Sequence, residues 1–267
     1  MFKWSKFFVS AESIETYEKL DGAKILDAHC HIGNDLDGHS MSQGLLVQKL
    51  DECGVEKAVI FPFNDREKQN CFEIANDRVL RAWREYPERL IPFFRLDPNS
   101  PQWPEEFDKR VSQGFRGLKL HPRAQKFDLS SAGARRIFER AEEADIPIII
   151  HTGFGLEDSM SGLLGSIREH PDLRVILGHS GFVDIGSVID FALNNRNVYF
   201  DTSVVRMYDL FFLMQRMDHA RIFYGSDTPY GGMDFNLQGI LSVAISLGFG
   251  SKEIEAIIGG NLERFLG

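Results

Sequence analysis

Cysteine is scarce in this chain. Cys30, Cys53 and Cys71 are an odd number without tight spacing, which gives neither a disulfide frame nor a thiolate metal site. Reduced thiols in a cytoplasm are the expectation. No apolar run is long enough to span a bilayer. The opening "MFKWSKFFVSAESIETYEKL" lacks the apolar stretch of a signal peptide, so residues 1–23 are read as an arm followed by a short helix. Positive charge is also in deficit: the net charge of −9 argues against nucleic acid or an anionic membrane as partner. There is no low-complexity linker and no near-identical repeat. No glycine-rich phosphate loop follows the first apolar run, where "HCHIGND" stands instead.

What is present is a rhythm. Eight apolar, β-rich runs occur: "KILDAHCH", "KAVIFPF", "LIPFFRLDP", "FRGLKLHP", "IPIIIHTG", "RVILGHSG", "VYFDTS" and "IFYGSD". Their near-continuous hydrophobicity suits parallel strands buried on both faces. Helix-like stretches lie between them, clearest in "CFEIANDRVLRAWREYP" and "SAGARRIFERAEEADIP", with Pro87 and Pro147 at their ends and Gly54 and Gly114 as helix stops. With 267 residues, this count predicts a single (β/α)8 TIM barrel rather than a doubly wound open sheet.

In such a barrel the site forms at the C-terminal ends of the strands. His29 and His31 end the first run and share a face by alternation. They read either as two ligands of one metal or as polar groups satisfied at a strand end. Arg95 and Asp97 end the third run, Lys119 and His121 the fourth, His151 the fifth and His179 the sixth. Asp201 lies on the seventh, and Asp227 ends the eighth. Five histidines and an aspartate converging on one rim favour a divalent metal: zinc first, manganese or iron as alternatives. His39, His170 and His219 fall in loops or at helix ends, outside this rim.

"DAHCHIG", "GLKLHP", "IIIHTG", "VILGHSG", "YGSDTPYG" and "IIGGNLERFLG" resemble the amidohydrolase superfamily, specifically its amidohydrolase-related single-barrel group of hydrolases, decarboxylases and some hydratases. The resemblance spans residues 25 to 267. It implies a metallo-dependent hydrolase barrel in which His29, His31, His151 and Asp227 are metal ligands. His179 would bind a second metal or act beside the activated water. In several superfamily members the lysine at the place of Lys119 is carboxylated and bridges two metals, whereas many members of this group use one. One ion is favoured here, with Lys119 an unmodified cation suited to a substrate carboxylate.

The chemistry expected is hydrolysis of a small carboxylate-bearing amide or lactone by water activated at the metal, with Asp227 or His179 as general base. His179 or Lys119 would help the metal polarise the carbonyl. The runner-up is decarboxylation on the same ligands. A Schiff-base aldolase through Lys119 would leave the histidines without a purpose, and a barrel without turnover should have lost ligands. Arg95, Lys119, His121, Arg123 and Arg206 would form a basic rim for a small anionic substrate. The bland alternative pairs Arg95 with Asp97 and leaves Arg123 and Arg206 solvated. Phe61, Phe63 and Phe154 are candidate pocket walls; Glu157 and Asp158 read as loop solvation. Barrels of this size often dimerise, so a homodimer is also an expectation, though no interface is legible.

Overall fold

The computed structural model describes residue 20 and residues 22–65, 69–153 and 160–267. Phe154, Glu157, Asp158 and nearly all of the expected N-terminal arm lie outside the described residues. Among the described residues, nine strands form one sheet: β1 (Leu26–Asn34), β2 (Ser40–Met41), β3 (Lys57–Pro62), β4 (Leu90–Arg95), β5 (Gly117–Leu120), β6 (Ile148–His151), β7 (Val175–Gly178), β8 (Val198–Asp201) and β9 (Ile222–Phe223). Eight are parallel in chain order. The ninth, β2, is a two-residue antiparallel return against the end of β1 that the apolar runs did not announce, because it carries no hydrophobic run of its own. The sheet closes between its ends: Ala28 N–H donates to Tyr224 O, His31 N–H to Thr228 O and Asp227 N–H to His29 O. This is a TIM barrel. No helix among the described residues is long and apolar enough to cross a membrane.

Helices cover the outside, among them α1 (Gln43–Cys53), α2 (Gln69–Glu85), α3 (Trp103–Ser112) and α4 (Ala132–Glu143). Local chemistry sets their ends. Ser42 and Ser131 accept the N–H groups of Leu45 and Ala134 and so cap α1 and α4. Gly54 stops α1 in the left-handed conformation, φ +66°. The strands have two apolar faces. Inward, Leu26, Val59, Phe61, Phe93, Ile149, Ile176 and Phe223 fill the barrel, and Leu262 and Phe265 of the C-terminal helix (Asn261–Leu266) join them. Outward, the larger core packs strand residues such as Ile60, Phe94, Leu118 and Leu177 beneath the helices. Each buried large side chain contributes about 1.5–3 kcal/mol.

Two departures from regular strand geometry prepare the mouth. The β1–β3 register shifts between Asp27 and Cys30, a bulge that takes His29 out of the ladder. Buried Asp27 replaces the lost pairing: its Oδ1 accepts the N–H of His29 and of Ser226, both at 2.9 Å. At the end of β4, Asn76 of α2 takes the place of a strand partner. Its Oδ1 accepts Arg95 N–H at 2.8 Å, and its Nδ2 donates to Arg95 O at 2.9 Å and to Glu106 at 2.7 Å. Glu106 in turn accepts from buried Arg110. A polar chain therefore runs from α3 through α2 to the backbone that carries Arg95.

Asn76→Ala would strand both backbone groups of Arg95 in a dry interior and leave Glu106 to Arg110 alone. The expected loss is about 3 kcal/mol in urea unfolding. A loss below about 1 kcal/mol would mean that this clamp does not hold the strand end.

Candidate metal centre and anion pocket

His29 is fully buried. Its Nδ1 hydrogen-bonds Asp201 Oδ2 at the end of β8. A carboxylate can only accept, so Nδ1 carries the proton and the neutral ring presents its lone pair at Nε2. That Nε2 lies 3.2 Å from Asp227 Oδ1, and His31 Nε2 lies 3.1 Å from the same oxygen. His29, His31 and Asp227 are the one group of three or more potential metal ligands that converge among the described residues, their ligand atoms all within 4.8 Å of one another. Gly225 makes the approach of the last strand possible. A Cβ there would stand 2.1 Å from Asp201 Oδ1 and 3.2 Å from His29 Cβ.

The donor chemistry fits a divalent ion. Two imidazole nitrogens and a carboxylate oxygen suit zinc, manganese or iron, and Asp201 supplies the carboxylate behind a ligand histidine that orients such sites. The field agrees. Burial and Lys119 pull the proton affinity of His29 down, but Asp201 and Asp227 outweigh them and leave it raised. The site thus favours positive charge beside Nε2. Asp227 stays well below the ordinary carboxylate range, because its histidine neighbours outweigh burial. Its backbone is left-handed at φ +59°, as is that of His179 at +66°, a local strain of the kind that collects at functional sites.

His151 stands one step away from this trio. Its Nδ1 is 3.0 Å from His179 Nε2, and its ring stacks on His121 with centroids 3.8 Å apart. His179 Nδ1 faces Ser203 O at 2.9 Å and must donate to it. His179 Nε2 is then the acceptor, and His151 Nδ1–H donates. Ser203 Oγ also lies 3.0 Å from His179 Nδ1 and 3.2 Å from His29 Nδ1, which ties the two histidines together. Lys119 Nζ reaches the cluster itself, 3.1 Å from His29 Nε2 and 4.6 Å from the centre of the Phe61 ring.

An inner cavity of about 280 Å³ opens beside these ligands, lined by Asn64, Arg95, Lys119, His121, Asp227 and Tyr230 among others. A wider outer one of about 490 Å³ shares His121, His151, His179 and Asp227 with it and adds Arg123, Lys126, Phe182 and Val204. Arg95 and Lys119 are direct neighbours in the β4–β5 register and both fully buried. Burial lowers Arg95 to about 10, and burial plus the Arg95 charge lowers Lys119 to about 7. Among the described residues, none of the three guanidinium nitrogens of Arg95 has a hydrogen-bond partner. Arg95 therefore does not pair with Asp97.

The other expected rim residues separate. His121 lines both cavities and accepts Ala124 N–H at the start of a short helix. Arg123 lines the outer cavity. Arg206 stands apart: it lines neither cavity, two-thirds of its side chain is in solvent, and from the N-cap of the helix Met207–Arg216 it bridges to Asp209 in the first turn. Phe61 and Phe63 wall the cluster, packing on His31 at 4.7 and 5.0 Å between ring centres. Sequence reasoning gave no role to Asn64, to Ser203 at the end of "VYFDTS" or to Tyr230 within "YGSDTPYG". It marked Asp201 without giving it a role, although its place at a strand end was the available signal.

A parallel barrel with two histidines on its first strand and an aspartate after its last, meeting at the C-terminal mouth, defines a metal-site barrel of the amidohydrolase type. The chain belongs to the amidohydrolase family: the family model described as Amidohydrolase matches residues 26–267. Comparison with curated protein sequences gives no match. Among solved structures, it resembles an uncharacterized TIM-barrel protein from Bordetella bronchiseptica, with 16% identity, 91% of this chain and 98% of that one covered, and a TM-score of 0.74. It also resembles a probable 2-pyrone-4,6-dicarboxylic acid hydrolase from Acinetobacter baumannii solved with citric acid, with 15% identity, 91% and 99% coverage and a TM-score of 0.69. A dihydroxybenzoic acid decarboxylase from a Polaromonas species, solved with manganese and 2-nitroresorcinol, gives 17% identity, 91% and 96% coverage and a TM-score of 0.68. At these identities the likeness establishes the fold.

The buried histidines set a pH dependence. His31 is lowered to about 3, and His121, His151 and His179 are also lowered, in each case first by burial. Unfolding restores their ordinary affinity for protons. From about pH 6.5 downward the unfolded state binds more protons, so stability falls with falling pH. His29 is raised, and burial raises Asp27 to about 6; these two groups run the other way but are outnumbered. Metal-free protein is expected to lose melting temperature steadily between about pH 6.5 and pH 4.5 in calorimetry. A constant value across that range would contradict the burial of these imidazoles.

Proposed function

We propose that this chain is a metal-dependent hydrolase of a small carboxylate-bearing amide or lactone. The observation that carries the carboxylate is the orphaned guanidinium of Arg95. A buried charged donor without a partner is costly, and an anionic ligand group supplies the missing acceptors. His29, His31 and Asp227 would hold the ion, with His151 as the expected fourth ligand and zinc as the first choice of metal. An ion there supplies Lewis acidity toward a carbonyl and toward water. One ion per chain is expected, because Lys119 occupies the space beside His29 Nε2 as an amine.

The protein's own groups supply the rest. Arg95 anchors the carboxylate and so fixes the reacting bond near the histidines. His179 is the better proton acceptor of the two candidates. Its Nε2 carries the lone pair, which His151 Nδ1–H faces, Nδ1–H is held by Ser203 O, and Asp227 and Asp201 offset part of the burial that lowers its proton affinity. Asp227, held so firmly as a carboxylate, is the weaker base. Lys119, lowered to about 7, can donate to the developing oxygen charge and return neutral.

Decarboxylation on the same site ranks second, for a physical reason. An arginine paired with the scissile carboxylate stabilises the ground state more than a transition state from which that charge is leaving. Arg95 suits a spectator carboxylate better. A panel of carboxylated amides and lactones should therefore yield ring-opened acid or acid plus amine, with Arg95→Met raising KM roughly 10- to 100-fold on these substrates and little on neutral analogues. CO₂ release as the dominant product, or an equal effect of Arg95→Met on neutral analogues, would overturn the proposal.

A further inference from the structure

We propose that Arg95 and Asn64 together form a subsite for a carboxylate with a hydroxyl or N–H group on the adjacent carbon, so that the substrate is a 2-hydroxy or 2-acylamino acid. This rests on the carboxylate reading above and narrows it. Asn64 lines the inner cavity and is 7% exposed. Its Nδ2 donates to Ala124 O at 3.1 Å. The carbonyl can only accept, so the orientation of the amide is settled and Oδ1 is turned the other way. That Oδ1 has no hydrogen-bond partner among the described residues. The backbone is also fixed: Asn64 N–H donates to Asp35 Oδ2 at 3.2 Å, and Asp35 lines the same cavity.

Asn64 and Arg95 are neighbours by topology. Ile60 of β3 stands opposite Pro92 of β4. Continuing that register brings Phe63 level with Arg95 and Asn64 one residue above. The inner cavity is thus lined by unpaired donors from Arg95 and by one unpaired acceptor from Asn64. A plain carboxylate satisfies only the arginine. A 2-oxo acid would set its keto oxygen against Oδ1, acceptor to acceptor. A 2-hydroxy or 2-acylamino acid satisfies both, and in the second the donating N–H belongs to an amide of the kind the site is proposed to cleave. A lactone or ester at that carbon has no such donor. The cavity, about 280 Å³, lies just below the usual size range of ligand pockets and suits a small molecule.

The test is calorimetric binding of racemic mandelate, phenylacetate and phenylglyoxylate to the full-length protein, as purified and after EDTA treatment. Mandelate is expected to bind roughly five- to tenfold tighter than phenylacetate, one neutral hydrogen bond's worth, with phenylglyoxylate weakest, and the order should survive EDTA. Asn64→Leu should bring mandelate and phenylacetate to equal affinity while keeping phenylacetate binding. Asn64→Asp, nearly the same shape, should weaken all three by about tenfold or more through charge repulsion. Arg95→Met should abolish binding of all three. No preference in the wild type, a preference lost with EDTA, a preference kept in Asn64→Leu, or unchanged binding in Asn64→Asp would overturn the subsite. If Arg95→Met still abolishes binding, the carboxylate reading stands without it. If Arg95→Met binds as the wild type does, that reading falls as well.

Discussion

The imidazole of His29 sits in the dry interior between two carboxylates and an amine. Asp201 holds its Nδ1, while Asp227 and Lys119 lie 3.2 and 3.1 Å from its Nε2. Such a ring cannot be placed by side-chain preference alone. Asp27 steadies the β1 bulge that carries it, the missing side chain of Gly225 lets Asp201 reach it, and the β9–β1 closure brings Asp227 to it. Three strands from opposite ends of the chain are therefore specified by one ring. Buried polar contacts of this kind are weak sources of stability but strong sources of geometry, and here they fix where a cation would be favoured.

The second constraint is an excess of buried positive charge on β4 and β5, beyond β3. Arg95 and Lys119 stand in direct register with no solvent to screen them. Asp201 and Asp227 lie close enough to Lys119 to favour its charged form, and Asp35 and Asp65 do the same for Arg95, yet no acceptor among the described residues reaches the guanidinium. The Asn76–Glu106–Arg110 chain holds the strand end against that strain from outside the barrel. The mouth thus has a half that favours a cation and a half that favours an anion, side by side. On the proposed reading, a metal and a substrate carboxylate would be the pair of charges that satisfies both.

The barrel was readable because buried parallel strands are apolar on both faces, so each run stands out against the amphipathic helices between. The histidine pair was readable for a similar reason: polar residues at the ends of such runs have no packing role. What stayed hidden depends on partners distant in sequence. The β1 bulge follows from Asp27 bonding His29 and Ser226, and nothing in "KILDAHCH" announces it. Arg95 and Arg206 look alike in sequence. One is orphaned inside the barrel, whereas the other is taken by Asp209 at the surface. Asn64 has no motif at all; its significance lies in the unspent oxygen left once Ala124 O has taken its nitrogen.

The most direct test of the account is an anomalous-difference map from crystals of the protein grown with zinc. The account expects a single peak, at bonding distances of about 2.0–2.3 Å from His29 Nε2, His31 Nε2 and Asp227 Oδ1, with Lys119 ending in a free amine. No peak among these three side chains, with zinc bound elsewhere or not at all, would contradict it.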